Sequence, residues 1–176
     1  MSGALRLVIV LFVVCGVAAG SLAFVNAATK ERIAEFARLE KIEAMQKVLP
    51  EAQEFVETTP GMVWEAKQAA NVVGHVLAAS TQGYSGPIES LVGLDPAGAV
   101  SGVRVLVQTE TPGLGAKVAS PGFLAQYEGR KAEELALKKD DPAGKIDAVT
   151  AATISSRALT NAVRKAVDAY QKGGQQ

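Results

Sequence analysis

The chain opens on an unbroken apolar run. From Leu7 to Val25 it reads LVIVLFVVCGVAAGSLAFV, nineteen residues without a charge. A helix of that length covers about 30 Å, the thickness of a bilayer's hydrocarbon core. Arg6 precedes the run, and Lys30, Glu31 and Arg32 follow it. Two readings stand. One is an uncleaved transmembrane anchor over residues 1–27, which the length favours. The other is a cleaved signal peptide, for which Val25-Asn26-Ala27 has the small-residue character of a cleavage site. A lipoprotein signal at Cys15 fails, because Val14 stands where a small residue is needed. Local Lys/Arg counts put the C-terminal side in the cytoplasm, although a large following domain translocates despite such a bias.

Beyond the run the period of the pattern changes. Ile33, Phe36, Ala37, Ile42, Met45 and Leu49 recur mostly at three- and four-residue intervals. Residues 28–50 therefore read as a juxtamembrane helix that Pro50 ends. Residues 51–176 then form one domain. Short β-like runs follow at Met62–Lys67, Val72–Ala79, Ile88–Leu94 and Val100–Gln108. Gly83-Tyr84-Ser85-Gly86-Pro87 separates the second from the third, and Asp95-Pro96-Ala97-Gly98 forms a hairpin turn before the fourth. Val103, Val105 and Val107 alternate with Arg104, Leu106 and Gln108, which predicts a sheet with one well-buried face. A short helix is expected over Phe123–Arg130, a short strand over Glu134–Lys138 and a loop over Asp140–Gly144. Ser155 to Tyr170 is the last helix, with Leu159, Val163, Ala166, Val167 and Tyr170 along one side. Helix, mostly antiparallel sheet and helix in that order make the fold class α+β.

Composition narrows the chemistry. Lys+Arg and Asp+Glu are both 18, so the chain lacks the basic excess that nucleic-acid binding usually requires. Cys15 is the only cysteine and His75 the only histidine. That excludes an internal disulfide and a Cys-based zinc or iron–sulfur site, and leaves no His-based metal cluster. Redox chemistry here would need an organic cofactor. His75, in an apolar strand, reads as a core or surface histidine. Trp64 and Tyr84 could stack on a flat ring or serve ordinary packing.

Two stretches can carry a site. The first is Asp147-Ala148-Val149-Thr150-Ala151-Ala152-Thr153-Ile154-Ser155-Ser156, where four hydroxyls crowd the approach to a helix. Ser155 or Ser156 can simply cap that helix. Alternatively, the helix N-terminus receives a phosphate, and the small Ala151 and Ala152 leave a threonine hydroxyl accessible. The second is Glu110-Thr111-Pro112-Gly113-Leu114-Gly115. It reads either as a type I or II turn centred on Pro112 and Gly113, or as a loop whose glycines let backbone N–H groups approach a flat ring. Lys117 follows it, either solvated or opposite a reduced, anionic ring.

Together these stretches resemble the FMN-binding domain found in the G subunit of Rnf-type ion-translocating oxidoreductases and in the C subunit of the Na⁺-pumping quinone reductase. That family's modification motif is Asp-x-x-Ser/Thr-Gly-Ala-Thr, met here by Asp147, Thr150, Ala151, Ala152 and Thr153, with Ala151 in place of Gly. Its Glu-Thr-Pro-Gly-Leu-Gly loop is matched at Glu110–Gly115 and its Gly-Tyr-x-Gly-Pro-Ile stretch at Gly83–Ile88. The short chain is more similar to the Rnf G subunit.

The resemblance implies a single-pass inner-membrane protein of a bacterium, with its domain on the extracytoplasmic side. It implies FMN joined through its phosphate to Thr153. Asp147, Thr150, Ala151, Ala152, Ser155, Ser156, the Glu110–Gly115 loop and Lys117 would be cofactor-binding. The implied partners are the other subunits of the complex, membrane lipid and a flavin transferase. The implied role is electron carriage between ferredoxin and NAD while Na⁺ or H⁺ is pumped. A flavin subunit of another extracytoplasmic reductase and a membrane-tethered, non-redox scaffold remain as alternatives.

Overall fold

The computed structural model describes residues 3–69 and 71–173. Met1, Ser2, Ala70 and residues 174–176, and with them the ends of the expected anchor and domain, lie outside the described residues. The chain divides into two compact units, Met1–Glu40 and Lys41–Gln176.

In the first unit the apolar run is helical. The first helix, α1 (Gly3–Val48), is continuous, so the expected anchor and juxtamembrane segment fall in one helical element. It is long and apolar enough to cross a membrane. Its large apolar side chains from Leu5 to Val25 are exposed along the helix, as suits a lipid environment.

The second unit holds a five-stranded antiparallel meander: β1 (Glu54–Thr59), β2 (Val63–Gln68), β3 (Asn71–Gln82), β4 (Pro87–Leu94) and β5 (Val100–Gln108), paired in chain order. The β4–β5 turn follows its sequence. Gly98 takes φ +79°, and Asp95 Oδ1 accepts the Ala99 N–H at 2.9 Å. β1 was not legible because Glu54-Phe55-Val56-Glu57-Thr58-Thr59 offers no consistent apolar face. It is an edge strand with mostly exposed side chains.

Both faces of the sheet are covered, not one. On one face Leu77, Ile88, Val92 and Val103 pack with Leu159, Val163 and Val167 of the last helix, α3 (Thr153–Gly173). On the other, Trp64, Ala66, Val76 and Leu91 pack with Ala44, Met45, Val48 and Leu49. Gly93 makes the second contact possible, since a Cβ there would lie 2.5 Å from the Val48 carbonyl oxygen. Ser101 Oγ donates to that same oxygen at 2.7 Å. The alternation in β5 also breaks. A register shift opposite Glu89 and Ser90 leaves Val107 exposed, while Val105 packs on the core and Leu106 on the opposite face.

The connection from β5 to α3 is irregular. A helix over Phe123–Arg130 is not formed. Instead a short α2 (Pro121–Leu124) runs into a 3-10 turn at Ala125–Tyr127, and Gly129, at φ +71°, turns the chain back to bond the Val100 carbonyl. Nor is there a strand at Glu134–Lys138. A 3-10 turn at Ala132–Glu134 is closed by Glu134 Oε2, which accepts the Lys131 N–H, and only Leu137 bridges Ile146. Asp140–Gly144 is a loop, as expected.

Candidate functional site

α3 begins two residues before the expected Ser155, at Thr153. Neither serine acts as a simple cap. Ser156 Oγ accepts the Val149 N–H at 3.0 Å and donates to the Ala152 carbonyl at 2.9 Å, closing the turn that precedes the helix. Ala151 within that turn has φ +63°, a left-handed conformation that glycine adopts without strain. This is the position where the motif carries Gly, so the departure at residue 151 is a backbone matter.

Ser155 turns inward instead. Its hydroxyl donates to Glu110 Oε2 at 2.5 Å, while Glu110 Oε1 accepts the Ser85 N–H at 3.0 Å. Burial alone would raise the Glu110 pKa. The Ser155 hydroxyl and the N–H groups of Ser85, Tyr84 and Gly86 outweigh it, and the carboxyl is held below its ordinary value. Glu110 thus ties the Gly83–Gly86 turn to the first turn of α3. The glycines around it are required sterically. A Cβ on Gly83 would meet Glu110 Oε1, and one on Gly115 would lie 2.6 Å from Glu110 Oε2.

The Glu110–Gly115 loop is a type II turn. The Leu114 N–H bonds the Thr111 carbonyl at 3.2 Å, with Gly113 at φ +77°. Between this loop, Tyr84 and the start of α3 lies a cleft of about 480 Å³. Glu110, Thr111, Leu114, Gly115, Ala151, Ala152, Thr153 and Ser155 line it. Tyr84 and Ile154 line it as well. Thr153 Oγ1 accepts a hydrogen bond from Lys139 Nζ at 2.6 Å.

Other candidates lie apart from the lining. Pro112 and Gly113 shape the turn without facing the cleft, and Thr150 and Lys117 are exposed beside it. Asp147 is turned to Lys138 at 2.6 Å, and its backbone is held by the Gln126 side chain. Ser156 is buried in the cap. Trp64 belongs to the opposite core, under Lys41 Nζ at 4.1 Å from its ring centroid. His75 stacks on Tyr170 with ring centroids 4.8 Å apart, a packing role. Burial pushes its imidazole pKa down, against the opposing charge of Glu65. Sequence reasoning missed Lys139 and Ile154. It also missed the part Ser85 plays, which its two flanking glycines signalled.

The residues present fit a phosphate-bearing planar ligand. The first-turn N–H groups of α3 lack intrahelical partners and attract an anion. A cation stands at the Thr153 hydroxyl, and the cleft beside it admits a flat ring. Consistently, residues 83–168 match the family model described as an FMN-binding domain. The fold agrees with two crystal structures, at identities that speak for fold alone. One is the C subunit of the Na⁺-translocating NADH-quinone reductase from Parabacteroides distasonis, at TM-score 0.54 and 22% identity, covering 62% of this chain and 60% of that one. The other is Shewanella oneidensis NqrC, at TM-score 0.50 and 20% identity, covering 72% and 74%. The class is therefore that of the FMN-binding domains.

The particular family follows from whole-chain relatives. The G subunit of the Na⁺-translocating ferredoxin:NAD⁺ oxidoreductase complex of Acetobacterium woodii is 35% identical, over 94% of this chain and 91% of that protein. The G subunit of the ion-translocating oxidoreductase complex of Methanosarcina acetivorans is 30% identical over 93% and 92%, and that of Escherichia coli K12 38% over 84% and 81%. This chain belongs to the family of G subunits of ion-translocating oxidoreductase complexes. It is a flavoprotein component of a redox complex, and among the described residues α1 is the one helix long and apolar enough to anchor it in a membrane.

Proposed function

We propose that this protein carries FMN covalently on Thr153 and passes electrons between neighbouring subunits of its complex. The observation that carries the reading is the hydroxyl of Thr153. It stands at the first turn of α3, on the wall of the cleft, within the sequence Asp147-Ala148-Val149-Thr150-Ala151-Ala152-Thr153. FMN, when bound, supplies the electron-carrying chemistry. The chain's own residues hold it. The α3 amides would hold the phosphate and the Glu110–Gly115 turn and Tyr84 would hold the ring, while Glu110 with Ser155 keeps the two walls together.

Residues 1–27 serve as the anchor, 28–50 as its continuation and 51–176 as the flavin domain. The partners are the other subunits, membrane lipid and a flavin transferase. The domain lies outside the bacterial cytoplasmic membrane, where the transferase acts. Electrons move between ferredoxin and NAD through the assembled complex, the reaction for which the Acetobacterium woodii and Clostridium ljungdahlii relatives are named.

The test is the intact mass of the chain purified from its native membrane, where the addition of FMN less one water is expected. Thr153→Ala removes the ester oxygen and abolishes in-gel flavin fluorescence at this chain's mass. Thr153→Ser retains part of it. Fluorescence that persists after Thr153→Ala overturns the assignment.

A further inference from the structure

Around Thr153 the charged side chains are not interchangeable. Three cations come close in sequence or space: Lys138, Lys139 and Arg157. Lys138 Nζ is committed to Asp147 Oδ2 at 2.6 Å. Arg157 holds Asp140 through two bonds, Nε to Oδ2 at 2.6 Å and an NH2-group donor to Oδ1 at 2.8 Å. That pairing occupies both Asp140 carboxylate oxygens, while the charge of Lys139, the preceding residue, also acts on Asp140. Lys139 is exposed and spends a hydrogen bond on a neutral acceptor, the Thr153 hydroxyl at 2.6 Å. Of the three cations, Lys139 is the one whose hydrogen bond goes to a neutral group and not to a carboxylate. Neither Lys139 nor Lys117, the cation expected from sequence, lines the cleft, but Lys139 is the one hydrogen-bonded to Thr153.

We propose that Lys139 is the counter-charge of the phosphodiester borne by Thr153 and the residue that positions the Thr153 hydroxyl before attachment. The inference rests on the attachment proposed above. In net terms the Thr153 hydroxyl and the flavin phosphate condense with loss of one water: the Oγ1–P bond forms, a P–O bond of the phosphate breaks, its oxygen leaves as water with the hydroxyl proton, and the resulting phosphodiester carries one negative charge beside Oγ1. An ammonium already within hydrogen-bond reach of Oγ1 moves onto that charge with little rearrangement, and N⁺–H···O⁻ bonds are stronger than neutral ones. The α3 amides supply the remaining donors. Lys139 is a positioning residue, reached from a loop that Lys138–Asp147 and Arg157–Asp140 hold in place.

The experiment uses the full-length chain matured with its flavin transferase, comparing Lys139→Met, Lys139→Arg and Lys145→Met. Lys145 lies in the same loop, exposed, and makes no side-chain bond to the site. Attachment, followed as in-gel fluorescence against time, should slow roughly three- to fivefold in Lys139→Met, the scale of a solvent-exposed charge contact. Lys139→Arg should recover most of the rate, and Lys145→Met should keep all of it. In the matured proteins, the ³¹P resonance of the phosphodiester should move in Lys139→Met and stay in Lys145→Met, with unchanged melting temperature. A wild-type rate and an unmoved ³¹P signal in Lys139→Met would overturn the role of Lys139 while leaving Thr153 assigned. Equal slowing in Lys145→Met would overturn it too, as an effect of net charge alone. Persistent fluorescence in Thr153→Ala is the separate result that removes the attachment site itself.

Discussion

Glu110 and Ala151 illustrate how single residues shape this cleft. Glu110 accepts from Ser155 and Ser85 in a buried position, and its folded-state pKa lies below the ordinary carboxylate value. Its contribution to stability is therefore fully present above the unfolded pKa of about 4.3 and is lost as pH falls through the lower folded value. Glu110→Gln should destabilise the protein by about 1.5–3 kcal/mol at pH 7, the range for hydrogen bonds to a charged group. The gap to wild type should narrow on acidification below about pH 4. Thermal melts of the detergent-solubilised chain at the two pH values measure this, and a gap independent of pH would remove the charge from the explanation. At Ala151 the φ of +63° costs about 1 kcal/mol that glycine does not incur, so Ala151→Gly should raise the melting temperature slightly. Covalent flavin should not fall in that variant. A clear loss would mean that the alanine methyl, not the backbone, matters here.

At the scale of elements, the Glu110–Gly115 turn and α3 do different work. Gly113 has open space around it, so its constraint is conformational and not steric. Gly113→Val forces a β-branched residue into left-handed backbone, which reshapes the turn. If FMN is attached as proposed, the ester on Thr153 should remain while the flavin's visible spectrum or midpoint potential shifts. An unchanged potential would mean that the ring sits away from this loop. α3 is held by its buried stripe. Leu159→Ala empties a fully buried site between helix and sheet and should cost about 2–5 kcal/mol, read from chemical denaturation. Tyr127, whose hydroxyl meets Thr160 Oγ1 at 2.8 Å in the same core, links the irregular connection to this helix.

For the whole molecule, the consequence concerns sidedness. In the proposed topology, an anchor that begins inside and a domain outside would bring the flavin to the extracytoplasmic surface, against the local Lys/Arg count. External protease added to spheroplasts should digest epitopes within residues 41–173 while the anchor stays membrane-bound. Protection until lysis would put the domain in the cytoplasm and undo the proposed electron route.

What could be read from sequence was what depends on local pattern. The uncharged run at Leu7–Val25, the strands with consistent apolar faces, the Pro112-Gly113 turn and the helix stripe from Leu159 to Tyr170 each announce themselves, because hydrophobic period and turn chemistry act within a few residues. The two motif stretches stood out by their hydroxyls and their Pro-Gly turn, but the residues expected to hold a cofactor came from the family resemblance and not from local pattern. Other features needed the tertiary structure. β1 exists only because β2 offers it a partner, and the second buried face exists because Gly93 admits the end of α1. The Glu110–Ser155 contact joins residues 45 positions apart, and Lys139 reaches Thr153 across 14. No local pattern encodes such distances; they arise when the sheet closes against α3 and sets the walls of the cleft together.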